Sequence, residues 1–135
     1  MRILIAEDDF ASRKVMSRFL SKYGECDITV DGREAVTAFS MALDSDERYD
    51  LCCLDIMMPE MDGYEVLKAI REMEREKNIT EDQQTKIIMT TALSDKRNVD
   101  KAFDLGAVAY AGKPISQSKF ESELVKLGLI DQVSK

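Results

Sequence analysis

Five short stretches rich in apolar residues recur along the sequence. They are residues 3–6, 26–30, 51–54, 87–89 and 107–111. Continuous apolar runs of this length are typical of strands covered on both faces, as in a parallel sheet. The pattern therefore predicts five largely buried strands.

The segments that follow these strands carry apolar residues three or four positions apart, the spacing of one helix face. The positions are Met16, Phe19, Leu20 and Tyr23; Val36, Phe39 and Leu43; Val66, Ile70 and Met73; Val99, Ala102 and Phe103; and Phe120, Leu124 and Leu127. Five helices are expected. Strands and helices that alternate with short connections predict an α/β fold, with one parallel sheet and helices on both of its faces.

Local signals predict several boundaries of these helices. Gly24 is expected to stop the first helix, and Asp31 with Glu34 has the spacing of a capping box at the start of the second. Ser118 is a candidate cap for the fifth helix. The polar stretch 72–86 is expected to form the end of the third helix and an exposed loop, with a solvated face.

Polar residues stand where four of the strands end. They are the acidic triplet 7–9, Asp55, the pair Thr90-Thr91 and Lys113. In open parallel sheets ligands bind outside the carboxyl ends of the strands, so these groups can share one site. Taken singly, the triplet could be a loop or cap, and Lys113 with the proline after it could be a turn.

The chemistry of this group favours transfer of a phosphoryl group to a carboxylate. Crowded carboxylates repel one another, and Mg²⁺, which prefers oxygen ligands, relieves that repulsion. Lys113 adds a compact positive charge, Asp55 can act as the nucleophile, and the Thr91 hydroxyl can bond a phosphoryl oxygen.

Composition excludes several other classes of function. The chain has 135 residues, the size of one domain, and a net charge of -7, which argues against a general nucleic-acid or anionic-membrane surface. It has no histidine, so Ser-His catalysis, Cys-His catalysis and the usual zinc sites are excluded. Its three cysteines are expected to be reduced and buried, and the lack of a long apolar span suggests a cytoplasmic location.

The chain resembles the receiver domain of bacterial two-component response regulators, including the single-domain chemotaxis type. The resemblance rests on IAEDD at 5–9, LDIMMPEMDG at 54–63, Thr91-Ala92 and Lys113-Pro114. It implies a flavodoxin-like (βα)5 sheet with strand order 2-1-3-4-5. It also implies a single receiver domain over residues 1–135, with a core at about 1–128.

The resemblance assigns roles around the phosphoryl acceptor, which it places at Asp55. Asp8 and Asp9 correspond to the acidic pair around Mg²⁺ (or Mn²⁺), with Asp9 expected as the direct ligand. The backbone carbonyl of Met57 is expected to complete the metal site, and Gly63 is the structural glycine of the motif.

The resemblance also assigns the switch. Lys113 is expected to pair with the phosphoryl group, and its bond to Pro114 is expected to be cis. Thr91 matches the switch hydroxyl, and Tyr110 matches the switch aromatic, although an ordinary packed tyrosine is the alternative for Tyr110.

The implied function is a phosphorylation switch rather than an enzyme. A histidine kinase or phosphotransfer protein would phosphorylate Asp55, and the surface of the fourth helix, fifth strand and fifth helix would change its affinity for a protein target. Neither direct nucleic-acid binding nor membrane insertion is expected, and the protein would be a monomer or a phosphorylation-linked dimer.

Alternatives are onward transfer in a relay, a receiver that works without phosphorylation, an aspartate-nucleophile phosphohydrolase and a flavodoxin-like cofactor binder. The phosphohydrolase of the haloacid-dehalogenase type is disfavoured, since Met57 stands where it needs a second acid, and the acidic triplet would repel a cofactor's phosphate.

Two departures from the family pattern give further expectations. Gly112 replaces a bulkier apolar residue and is expected to loosen the end of the fifth strand. Met57 and Leu93 flank the site and are both apolar, so neither can orient a water for attack on the aspartyl phosphate. Slow self-dephosphorylation is therefore expected.

Overall fold

A computed structural model describes residues 1–91 and 96–131 of the chain. The strands are β1 Arg2–Ala6, β2 Glu25–Thr29, β3 Leu51–Asp55, β4 Lys86–Thr91 and β5 Ala109–Gly112. The helices are α1 Phe10–Leu20, α2 Gly32–Asp44, α3 Gly63–Glu76, α4 Lys96–Asp104 and α5 Gln117–Lys126, with a short 3-10 turn at Glu81–Gln83. The motif residue Ala92, the flanking Leu93 and the side chain of Val99 lie outside the described part.

The five strands form one parallel sheet in the order β2-β1-β3-β4-β5. This confirms the fold class and the strand order expected from the sequence. Because β3 and β4 lie inside the sheet, both of their faces need cover, and every residue of β3 is buried. The carboxyl ends of β1, β3, β4 and β5 consequently meet at one edge.

Alternate side chains of each strand enter two separate cores. Ile3, Ile5, Cys53 and Ile88 face one side, where α1 and α5 contribute residues such as Phe19 and Phe120. Leu4, Leu54 and Met89 face the other side, which α2, α3 and α4 cover. Full burial of one such leucine contributes about 1.5–3 kcal/mol, so both faces must be covered for the sheet to be stable. We call these sides the α1/α5 face and the α2/α3/α4 face.

Several predicted helix boundaries are wrong in detail. α1 ends at Leu20, and Gly24 is needed for a different reason, since a Cβ there would lie 2.0 Å from the Met1 carbonyl oxygen. Asp31 does cap α2, but the Glu34 carboxylate accepts from the Val30 N–H instead of the Asp31 N–H. A full capping box forms at α3 instead, between Asp62 and Glu65. Ser116, not Ser118, caps α5.

The polar stretch 72–86 is exposed only in part. Glu74 is buried and pairs with the Arg71 guanidinium at 2.6 Å, while its other oxygen accepts from the Thr85 N–H at 2.8 Å. Arg71 also donates to the carbonyls of Thr85 and Gly106. Part of the expected solvated face is thus a buried ion pair within α3, which also contacts Thr85 just before β4. No helix in the described part is long and apolar enough to cross a membrane.

Candidate functional site

The site lies at the carboxyl edge of the sheet, on the α1/α5 face. Asp55 ends β3 and is two positions after Cys53, so its side chain continues the row that faces α1 and α5. Glu7 follows Ile5 in the same way at the end of β1. Both carboxylates are buried, at 2% and 0% exposure.

Backbone contacts fix the position of Asp55. The Ile56 N–H donates to the Thr90 carbonyl at 3.0 Å, which extends the pairing of β3 with β4 past the acid. The Met57 N–H donates to Asp55 Oδ1 at 3.3 Å. At Gly63 a Cβ would lie 2.5 Å from the Asp55 carbonyl oxygen, so the start of α3 can pack against the strand end only with glycine there.

Lys113 supplies the ammonium group that contacts these acids, and no other lysine in the described part of the chain does so. Its Nζ lies 2.5 Å from Glu7 Oε1 and 3.3 Å from Asp55 Oδ2. The Lys113 N–H donates to the Thr91 carbonyl at 2.8 Å, which ties the end of β5 to the end of β4. The bond to Pro114 is cis, as the sequence predicted.

Three carboxylates are placed to share one cation. Oxygens of Glu7, Asp8 and Asp55 all lie within 4.8 Å of one another. An all-oxygen donor set with one exposed member, Asp8, fits a hard divalent ion such as Mg²⁺, which keeps several waters when bound. The residues present therefore fit the cofactor expected from the sequence.

Asp9 does not belong to this group. Its carboxylate accepts from the Ser12 N–H at 2.9 Å and caps α1. Hydrogen bonds from Ser12, followed by the positive charges of Lys113 and Arg13, hold the pKa of Asp9 below its usual value. The carboxylate of Asp9 thus caps α1 in this structure, and its expected role as the direct metal ligand stays a prediction.

Sequence reasoning did not single out two residues that shape the site. Glu7 belongs to the acidic triplet, but the sequence assigned it no role of its own; its position two residues after the buried Ile5 was the available signal. Arg13 donates from Nη1 to the carbonyls of Glu7 and Asp8, at 3.0 and 2.9 Å. It holds the loop that carries both acids, and nothing in its sequence context indicated this contact.

The crowding of these charges changes the pKa of the acceptor. Burial, followed by the hydrogen bond and the charge of Glu7, raises the pKa of Asp55 to about 8, against the opposing effect of Lys113. Burial lowers the pKa of Lys113, but its bond to Glu7 and the charge of Asp55 outweigh this and raise it. Asp55 therefore favours its protonated form near neutral pH more than a separated carboxyl group would.

The two expected switch residues lie on β4 and β5. Thr91 is buried at the end of β4, one position past the residue that pairs with Asp55, and it pairs with Gly112. Tyr110 packs against the core of the α2/α3/α4 face. Met57 is 63% exposed beside Asp55, as its expected role at the rim of the site requires.

Comparison with known proteins agrees with this architecture. A family model described as the response regulator receiver domain matches residues 3–125. The chain is 38% identical over 115 residues to regulatory protein VanRB of Enterococcus faecalis, covering 84% of the chain and 46% of that protein. It is 31% identical over 128 residues to hybrid signal transduction histidine kinase L of Dictyostelium discoideum, covering 94% of the chain and 7% of that protein. The chain spans less than half the length of these curated relatives.

Solved structures show the same fold along nearly the whole chain. Chemotaxis protein CheY4 of Vibrio cholerae has a TM-score of 0.77 at 26% identity, covering 93% of this chain and 96% of that one. The CheX-CheY complex of Borrelia burgdorferi, solved with BeF3 and Mg²⁺, has a TM-score of 0.79 at 26% identity, covering 95% of this chain and 89% of that one.

Proposed function

This chain belongs to the receiver domain family of response regulators, and we propose that Asp55 is the residue on which it accepts a phosphoryl group. Receiver domains of this family act in phosphorylation-based signalling, interact with histidine kinases and downstream effectors, and are switches rather than typical enzymes. The observation that carries the assignment is a buried carboxylate that contacts Lys113 at 3.3 Å and lies beside two further acids.

In the proposed reaction an oxygen of Asp55 attacks the phosphorus of a phosphohistidine on a partner kinase or phosphotransfer protein. A P–O bond forms, the P–N bond breaks, and its electron pair stays on the imidazole, which takes up a proton. Asp55 must be ionised to attack, and the Lys113 ammonium stabilises the charge on the transferring oxygens.

The metal site would be formed by Asp8, Asp9 and Asp55, with Glu7 beside Asp8 and Asp55 and the Met57 carbonyl as a further ligand. Bound Mg²⁺ supplies positive charge that favours the ionised Asp55 and neutralises the phosphoryl oxygens. Arg13 keeps the β1–α1 loop in place through its bonds to the carbonyls of Glu7 and Asp8.

Phosphorylation adds negative charge and acceptor oxygens at Asp55. In the proposed switch Thr91 moves toward the phosphoryl group and Tyr110 turns inward, which alters the surface of α4, β5 and α5. That surface includes a groove of about 500 Å³ beside β5 and α5, with Tyr110, Ile115, Phe120 and Lys126 in its walls. A protein target would bind this surface with an affinity that depends on the state of Asp55.

The test is incubation with Mg²⁺ and a small phosphodonor such as acetyl phosphate, followed by intact mass measurement. We expect one phosphoryl adduct on the wild type, none on Asp55→Asn, and one on the control Asp104→Asn, whose exposed acid lies in α4. No adduct on the wild type would refute the function, and an adduct retained by Asp55→Asn would refute the assignment.

A further inference from the structure

Thr90 holds a buried hydroxyl that the reaction described above does not use. The residue is 1% exposed, and its Oγ1 makes no hydrogen bond to any residue that the structure describes. A buried hydroxyl without a partner costs free energy, and valine has almost the same shape without that cost. The threonine therefore needs a partner in some other state of the protein.

The sheet register places Thr90 beside the phosphoryl acceptor. Thr90 and Asp55 are paired positions on neighbouring parallel strands. Both continue the α1/α5 face, since Asp55 is two positions after Cys53 and Thr90 two positions after Ile88. Thr91, one residue on, belongs to the opposite face, so the two threonines have different surroundings.

The strand order brings the lysine over the same position. β4 lies between β3 and β5, and Lys113 leaves the end of β5 to reach Asp55 on β3 at 3.3 Å. Its side chain must therefore cross the end of β4 on this face, above Thr90. Thr90 therefore occupies the position on β4 between Lys113 on β5 and Asp55 on β3.

We propose that Thr90 is a positioning residue for Asp55: its hydroxyl, turned about χ1, donates a hydrogen bond to the ionised Asp55 carboxylate. The bond holds the carboxylate in the orientation from which it attacks and from which it binds the metal. The inference rests on the proposed function, because it concerns the same acceptor.

The test compares Thr90→Val with Thr90→Ser. The control is Thr85→Val. Thr85 comes just before β4, far from Asp55, and its buried hydroxyl donates to the Tyr49 carbonyl. Three quantities are measured: the rate of phosphoryl incorporation at saturating phosphodonor, the Mg²⁺ dissociation constant by calorimetry without phosphodonor, and the urea midpoint of unfolding.

We expect Thr90→Val to be phosphorylated about tenfold more slowly, equivalent to roughly 1.4 kcal/mol. It should bind Mg²⁺ more weakly, with a urea midpoint equal to or above that of the wild type. Thr90→Ser should recover the rate although it loses a packed methyl group. Thr85→Val should unfold at lower urea with an unchanged rate. Thr90→Ala provides the same comparison if the valine variant does not fold.

Wild-type rate and Mg²⁺ affinity in Thr90→Val would overturn the inference, as would a serine variant as slow as the valine variant. A wild type that takes up no phosphoryl group would instead overturn the proposed function, so the two failures are distinguishable.

Discussion

Replacing Asp55 by asparagine should stabilise the metal-free protein above neutral pH. The wild-type site buries carboxylates of Glu7 and Asp55 against a single ammonium, and this raises the pKa of Asp55 from 3.8 to about 8. A carboxyl group with a higher pKa in the folded state binds its proton more tightly there than in the unfolded chain. The stabilisation that comes from this tighter proton binding is therefore complete below about pH 4 and is lost as the pH rises through about 8.

The magnitude follows from that difference in pKa. A shift from 3.8 to about 8 corresponds to an upper bound of roughly 6 kcal/mol, at about 1.4 kcal/mol for each pH unit. Water reaches the site beside the exposed Asp8, and asparagine also gives up the contact with Lys113, so the net gain should be about 1–3 kcal/mol. For a chain of this size that raises Tm by about 3–10 °C.

The assay is urea unfolding of the wild type and Asp55→Asn at pH 5 and pH 8.5 in a chelating buffer. The gain in free energy of unfolding of Asp55→Asn over the wild type should be near its full value at pH 8.5. It should be small at pH 5, where Asp55 of the folded wild type is already neutral. Mg²⁺ should stabilise the wild type at pH 8.5 and narrow the difference in unfolding free energy between the wild type and Asp55→Asn. Asp104→Asn, in an exposed part of α4, should be as stable as the wild type at both values.

The reasoning is refuted if Asp55→Asn is no more stable than the wild type at pH 8.5. An equal gain at both pH values would also contradict it, because repulsion between charges would then not be the cause.

Four further substitutions test other parts of the molecule. Arg71→Ala strands the buried Glu74 carboxylate and should cost about 3–5 kcal/mol in urea unfolding, whereas a loss below 1 kcal/mol would show that the pair is not buried in solution. Gly63→Ala should distort the end of β3 at Asp55 and slow phosphorylation. Gly112→Ala has nothing within 4 Å of the added Cβ, so it should keep the phosphorylation rate and raise the free energy of unfolding by about 0.4–1 kcal/mol. Equal phosphorylation rates in the two variants would contradict the packing argument. Met57→Asn should shorten the half-life of the aspartyl phosphate, since an exposed amide beside Asp55 can orient water, and an unchanged half-life would sink that idea.

The sequence predicted the places of the strands well, and burial on both faces explains the apolar runs of β1, β3 and β4. β3 is the clearest case, since an unbroken apolar run ends in the buried acid at Asp55. The prediction of a buried strand is wrong for β2 and β5, because these edge strands are mostly half-buried or exposed. The strand order, in contrast, came from the family resemblance, because periodicity carries no information on which strands are neighbours.

The acidic triplet shows where local pattern is ambiguous. Glu7 still follows the alternation of β1, whereas Asp9 has left the sheet and begins a helix, and three consecutive acids do not reveal that change. Asp9 stands three positions before Ser12, whose N–H it caps, so cap preference was a usable signal. The i,i+3 spacing of Arg71 and Glu74 was a usable signal for their ion pair, whereas no signal indicated the bond between Glu74 and Thr85, which lies beyond the end of α3.

The position of β4 has one more consequence. Thr90 and Thr91 are joined by a single rigid peptide plane, yet one belongs to the face with Asp55 and the other to the face with Tyr110. In the proposed switch, a backbone movement at Thr90 would therefore also move Thr91. We expect the end of β4 to transmit a change at Asp55 to the packing around Tyr110 on the other face of the sheet.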